Sequence, residues 1–499
     1  MKRLPIMRFP MNTAQKIIFN TIIVNGTKII ELGFSLVTIF FITRTLGTYN
    51  YGLYNTVLAF TMIFATLADL GISTVLLRDL SRPDTNESDL FASIFTLKTV
   101  VGALFLLVLT PLLGWLMPYA PIVKQGIIII SLSYFLLNVV NSLTVIFQKN
   151  LAMHTVAVVE FASRLTTLGL VWWFYATHQG VLAFLFAVLI SSVVYVLLLL
   201  PLGGKIYPIR LKWDVGAWAM IMRDAIPIAI ASVFMMLYFK FDTVLLSLMK
   251  PAEDVGIYSA AYKVLETMTY FPATIMILVM PTMARKLGQS AEEFKMIFQK
   301  VWDLVLMLAA PVAVGIFMIA GPIIHIIAGS AFSASIPSLR ILSIAIGIIF
   351  LSNVLGYSVI VLNLQRKTII VYVFAAILNV GLNLLFIPTY SYMATSVTTV
   401  VTEVFVNAFL LYFLYREAEI TIPRRKFAKV LFASAVMAAV LWLFSGIETF
   451  LLIILGAVIY FAVLIPLGGI DRHDIKTLLE RPNKNPSNQD IDSIINLGI

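Results

Sequence analysis

The sequence predicts an all-α polytopic membrane protein of about fourteen crossings, built as two pseudo-symmetric six-helix lobes with two further helices behind them. Three observations predict it. Sixty per cent of the 499 residues are hydrophobic and only 12% are charged, more apolar sequence than a soluble core needs. Apolar stretches of about 20 residues, the length that crosses the hydrocarbon, recur along the chain. Lysine and arginine gather in every second connection between those stretches.

The first residues, MKRLPIMRFPMNTAQK, are basic and lead into a long apolar span with no A-x-A-like cleavage site, so they read as the approach to an uncleaved first helix. The spans of the first lobe fall at 17–43, 52–77, 91–117, 122–147, 153–176 and 180–201. The polar segment GGKIYPIRLKWDVGAW, Gly203–Trp218, reads as the cytoplasmic linker between lobes. The second lobe's spans are 219–248, 255–282, 301–328, 338–363, 368–388 and 393–415, with a split at Pro388; two more follow at 428–445 and 449–469. The expected organisation is therefore 1–202 for the first lobe, 203–218 for the linker, 219–417 for the second lobe, 418–470 for the last two spans and 471–499 for a cytoplasmic tail.

The connections holding Lys16, Arg78, Arg82, Lys149, Lys205 to Arg223, Arg285 to Lys300, Arg366, Lys367, Arg416 to Lys429 and the tail contrast with the alternate ones, which hold only Arg44, Lys124 and Lys250. Positive charge marks the cytoplasmic side, so both termini are expected there, in the plasma membrane. The net charge of +10 then becomes an orientation signal and a contact with anionic membrane lipids, not a nucleic-acid surface. Cysteine is absent, which removes disulfides, thiolate metal sites and cysteine nucleophiles. No G-x-x-x-x-G-K-[ST] loop, His cluster or G-x-S-x-G elbow appears, and the outward connections are short, the longest near Gly321–Ser335. No metal, ATP or other cofactor is expected, apart from H+ or Na+ as a coupling ion.

YNYGLYNTVLAF and EDVGIYSAAYKV share a pattern: Gly52-Leu53-Tyr54 matches Gly256-Ile257-Tyr258, 204 positions apart. Each copy opens a span, and six spans separate them, so the copies have the same orientation. That is a parallel repeat about an axis along the membrane normal, an architecture of transporters.

Ionisable residues inside spans are costly unless they are paired or used. Lys28/Glu31, Glu160/Arg164 and Lys263/Glu266 sit three or four apart, on one helix face, and can pair locally or line a watery cleft. Lys240 and Asp242, in VFMMLYFKFDTVLLSLM, sit two apart and point to opposite sides of their helix, so each needs a partner elsewhere or water. Lys240 facing a central cleft is the expectation; two separate interhelical contacts is the alternative. Asp69 and Glu403 read as isolated carboxylates, either coupling sites or protonated hydrogen-bonded side chains. Lys98 and Arg340 are expected to snorkel and Asp303 to be interfacial.

TRTLGTYNYGLYN with LADLGISTVLLRDLSR, FDTVLLSLMKPAEDVGIYSAAYKV, GSAFSASIPSLRILSIA and AILNVGLNLLFIPTYSYMATSVTTVVTE together resemble the Wzx-like oligosaccharide flippases of the multidrug/oligosaccharidyl-lipid/polysaccharide exporter superfamily. The matching positions include Leu46, Gly47, Tyr51, Asp69, Gly71, Arg78, Asp242, Asn379, Asn383, Pro388 and Glu403; Ser391 and Ala394 depart from the family's glycines. The resemblance implies a non-enzymatic flippase moving a lipid-linked oligosaccharide on a polyprenyl or dolichyl (di)phosphate by alternating access, beside a glycan polymerase or glycosyltransferase. For such a substrate Lys28, Arg164, Lys240 and Lys263 are the candidate phosphate-binding cations. Asp69, Asp242 and Glu403 are the candidate ion-coupling residues. A cation-coupled multidrug exporter is the alternative, for which an aromatic, acidic pocket within one lobe would speak. A membrane glycosyltransferase or ligase is the third reading.

Overall fold

A computed structural model describes residues 13–80, 86–422 and 424–469. The expected cytoplasmic tail 471–499, the basic segment before residue 13 and Arg82 lie outside them. The described residues form helices and connections without a strand. Eleven helices are long and apolar enough to cross a membrane; the chain is a multi-pass membrane protein.

α1 (Thr13–Asp69) has 57 residues and would measure about 85 Å if straight, far more than a bilayer's core of about 30 Å. It is two helices meeting at Gly47, whose φ of 64° and ψ of −176° suit a residue without a Cβ. Leu70 and Gly71, both at positive φ, end it before α2 (Ile72–Leu80). α3 (Glu87–Gly102) continues through a π-helical turn, Ala103–Leu109, into α4 (Thr110–Leu116). The turn has a local cause. Pro111 has no N–H to give the ladder, and both the N–H and the hydroxyl of Thr110 reach back to the Phe105 carbonyl. α5 (Pro121–Lys149), α6 (Met153–Ala176) and α7 (Val181–Gly204) complete the first half.

The connection after α7 is clamped to α3. Glu87 pairs with Lys149 at 2.5 Å and accepts from Tyr207; Asp89 holds Lys212 at 3.0 Å and also Arg210. The Lys212 amide donates to Thr96 at 2.8 Å. Partial burial, with Glu87 as acceptor, raises the Tyr207 phenol above its ordinary pKa. Asp214 then caps α8 (Val215–Met249) by accepting from the Ala217 amide at 3.0 Å.

α9 (Ala252–Gln289) leads into α10 (Ala291–Met318), whose cap Ser290 accepts from the Glu293 amide at 3.1 Å. α11 (Ala320–Ile327) and a short 3-10 turn precede α12 (Ser335–Val361). α13 (Gln365–Ala418), 54 residues, is again two helices, but they meet at Ser391 and not at the expected Pro388. Ser391 holds φ 50°, ψ −134°, a region that all but glycine avoid. Its hydroxyl donates to Asp254, and Lys250 donates to the Pro388 carbonyl at 2.8 Å, so α9 and the connection before it brace the bend. Ser391→Gly is expected to raise the melting temperature in detergent. Relief of about 1–3 kcal/mol of backbone strain outweighs one hydrogen bond of about 1 kcal/mol. An unchanged or lower value would mean that the Asp254 contact dominates.

α14 (Arg424–Leu443) and α15 (Thr449–Leu464) stack on α10 in a core of their own, with Leu306, Met437, Leu441 and Tyr460 buried. Asp303, expected to be interfacial, is buried within the protein and pairs at 2.5 Å with Lys426 in the first turn of α14. The fourteen expected crossings require α1 and α13 each to cross twice and the 16-residue α15 to cross once.

The halves meet where the repeat occurs. A methyl group added at Gly52 would lie 1.6 Å from the Ala252 carbonyl oxygen, and one added at Gly256 would lie 2.0 Å from the Thr48 oxygen. The two glycines of the repeated Gly-x-Tyr therefore face each other, backbone to backbone, in the crossing of α1 and α9. Thr43 donates to the Ile327 carbonyl at 3.2 Å and Arg44 to those of Ile326 and His325 at 3.2 and 3.3 Å. At this end of the bundle α1 and α11 are thus joined by three hydrogen bonds.

Candidate functional site

α8 and α9 bring three charges together. Glu266 accepts from Lys240 on one carboxylate oxygen and from Lys263 on the other, the latter at 3.1 Å. Lys263 and Glu266 share a face one turn apart on α9. Lys240 crosses from α8, its ammonium 4.6 Å from the centre of the Tyr262 ring. Lys240 is 19% exposed, Lys263 32% and Glu266 27%, so the cluster is reachable and not sealed.

Asp242, two residues on along α8, is buried and also meets α9: Tyr258 donates to it at 2.6 Å, and the Thr243 amide and hydroxyl at 2.5 and 3.1 Å. Lys240 and Asp242 thus make two separate interhelical contacts, the alternative arrangement, and both reach the same neighbour because the lysine stem swings round its helix. Glu403 is also buried. It has no ion-pair partner among the described residues and accepts from the Tyr238 and Ser352 hydroxyls, the latter at 3.2 Å. Asn407 donates to Ser352 in turn.

Asp242 and Glu403 line one void of about 10 Å³ with Tyr238, Tyr262, Thr399 and Thr402, about the space that a single water occupies. Beyond Glu403 a groove of about 630 Å³ runs between α8, α12 and α13, lined by Tyr238, Phe239, Ser352, Tyr357, Tyr372 and Glu403 among others. The Asn383 Oδ1 and Thr395 hydroxyl are buried without a hydrogen-bond partner among the described residues.

The cations of the first half stand apart from this group. Lys28 meets Glu31 at 3.0 Å and Glu160 at 3.2 Å, and Arg164 meets Glu160 at 3.7 Å. The two local pairs expected from spacing are therefore one network between α1 and α6. Lys28 and Arg164 are about half exposed. Asp69 is not isolated: Lys98 pairs with it at 2.7 Å, and Ser73 donates to it at 2.7 Å. Lys98 does not snorkel but is fully buried, because α2 and α3 close over its ammonium and Asp69 neutralises it there. Arg340 lies 5.8 Å from the Phe317 ring centre.

The structure thus unites Lys240 with Lys263 and Asp242 with Glu403. It places Lys28 with Arg164 elsewhere and pairs Asp69 with Lys98. Sequence reasoning missed the tyrosines. Tyr258 and Tyr262, four apart on α9, and Tyr238 on α8 carry the hydrogen bonds and ring contact that hold Asp242, Glu403 and Lys240. Polar aromatics at helical spacing inside apolar spans are the signal that could have found them.

Comparisons with known proteins bear on this arrangement. The family model described as polysaccharide biosynthesis protein matches residues 17–287, and the MatE model matches 227–388. No curated protein matches in sequence. Among solved structures, the lipid II flippase MurJ in an inward closed conformation is similar at a TM-score of 0.74 and 14% identity, covering 92% of this chain and 99% of that one. An inward-facing multidrug resistance MATE family transporter of the MOP superfamily aligns at 0.64 and 14% identity, covering 77% and 94%. A MOP superfamily transporter from Pyrococcus furiosus, described for the reverse polarity of its binding pocket, aligns at 0.56 and 14%, covering 81% and 96%.

Proposed function

The chain belongs to the polysaccharide biosynthesis protein family, and on that premise we propose that it is a flippase for a lipid-linked oligosaccharide on a polyprenyl or dolichyl (di)phosphate. The observation that carries this reading is the convergence of Lys240 and Lys263, from two apolar helices, on the carboxylate of Glu266. Two ammoniums from different helices, one on each oxygen of a carboxylate, form a receptor for a phosphate group. The sugar headgroup needs a wet route because it cannot shed its hydrogen bonds to water in hydrocarbon; the lipid tail stays in the bilayer.

Alternating access then consists of opening and closing the Gly52–Gly256 crossing between two like-oriented lobes, 1–202 and 219–417, with both termini in the cytoplasm. Outward movement of each negative charge gains about 2.3 kcal/mol per 100 mV of cytoplasm-negative potential. Asp242 and Glu403, sharing a void, are the place for a returning H+ or Na+; Asp69 is not, being held by Lys98. The chain makes and breaks no covalent bond, and a glycan polymerase or glycosyltransferase would take up or supply its cargo.

The test is transport of a labelled lipid-linked oligosaccharide in liposomes. Lys240→Ala and Lys263→Ala are each expected to slow it about 10- to 100-fold, the worth of one charge-assisted hydrogen bond, with membrane insertion unchanged. Wild-type rates in both would remove the receptor from the mechanism. One observation favours a second reading, a cation-coupled exporter: the groove at Glu403 is aromatic and acidic, as an organic cation would require. Export of a cationic dye with no movement of the lipid-linked sugar would establish it in place of the first.

A further inference from the structure

The carboxylate of Glu266 occupies the point at which the two lysines converge. Each of its oxygens takes one ammonium, and among the described residues it is the sole ion-pair partner of both. The two oxygens of a carboxylate and two oxygens of a phosphate present nearly the same edge to a pair of donors. We propose, resting on the flippase reading, that Glu266 is a built-in occupant of the anion site: it holds the place of a substrate phosphate between Lys240 and Lys263 and is displaced when the diphosphate enters.

Three physical consequences follow from that geometry. Without cargo, Glu266 lowers the cost of keeping two ammoniums inside the membrane, since an unpaired charge there is expensive. With cargo, binding is an exchange of one anion for another, so its strength is the difference between two interactions and not the sum of the new contacts. On release, the carboxylate closes back on the lysines and displaces the diphosphate, which keeps a strongly charged headgroup from becoming a permanent resident. Glu266 is placed for this: it is part-exposed, it lies one helical turn from Lys263, and Lys240 has a second support in the Tyr262 ring, 4.6 Å from its ammonium.

Glu266→Gln keeps the shape and removes the charge; Glu266→Asp keeps the charge but is too short to bridge both lysines. Binding of farnesyl diphosphate to the purified full chain is measured for wild type and both variants, beside liposome transport. The expected result is binding about 10-fold tighter in E266Q and about 3-fold tighter in E266D, with multiple-turnover transport falling as release slows. If the wild type binds farnesyl diphosphate and neither variant binds it more tightly, the place-holding role is overturned and the flippase reading stands. If neither the wild type nor any variant binds it, the diphosphate reading falls and the inference with it. Should E266Q fail to fold, the E266D affinity decides the matter alone.

Discussion

Gly52→Ala is expected to abolish transport while leaving an inserted, folded protein. The added methyl would lie 1.6 Å from a backbone oxygen of Ala252, and backbone cannot swing aside as the end of a side chain can. The wedge acts only where the halves touch, so each half keeps its own packing, and the cost falls on the state in which this end is closed. Gly256→Ala, 2.0 Å from the Thr48 oxygen, should do the same from the other side. The absence of native cysteine makes the readout clean: a single cysteine placed at Thr48 should become reactive to an impermeant thiol reagent in the Gly256→Ala background and stay protected without it. Normal transport by G52A would mean that closure at this crossing is not a step of the cycle.

The second large effect concerns stability. Asp69→Asn should destabilise the protein by about 3–5 kcal/mol, because it leaves the ammonium of Lys98 fully buried and uncompensated. Lys98→Met with Asp69→Asn removes both charges and should recover most of the loss. Thermal unfolding of the two single variants and the double variant gives the coupling directly. Additive effects in that cycle would show that the pair does not act as a unit. If D69N instead stayed fully stable and lost ion-dependent transport, Asp69 would return as a coupling residue.

The helices were legible because a bilayer demands long apolar stretches, and the Gly-x-Tyr repeat pointed to two residues that prove to face each other. Local spacing also found Lys263 with Glu266. It failed where partners are remote in the chain: nothing in the sequence near Lys28 announces Glu160, 132 residues away, and the neutralising of Asp69 by Lys98 depends on how α1, α2 and α3 fold over one another. The proline rule misplaced the bend of α13: the helix runs on past Pro388 and breaks at Ser391, and the carbonyl that Lys250 takes up is Pro388's own, just before that break. Ser391 hides its unusual backbone behind an ordinary residue type.

α8 carries a mechanical implication. Its first turns, with Ile221 and Ala225 buried, belong to the core under the first half, where the clamped connection also fastens it. Its later turns, from Tyr238 through Leu246, belong to the main core with α9 and α13. A rigid rod pinned at both ends to bodies that rock against each other must flex or be torn from one of them. Under the proposed alternating access, the stretch between Ala225 and Tyr238 is where that flexing would fall, and its stiffness would set how much of the motion reaches Lys240 and the charges it meets.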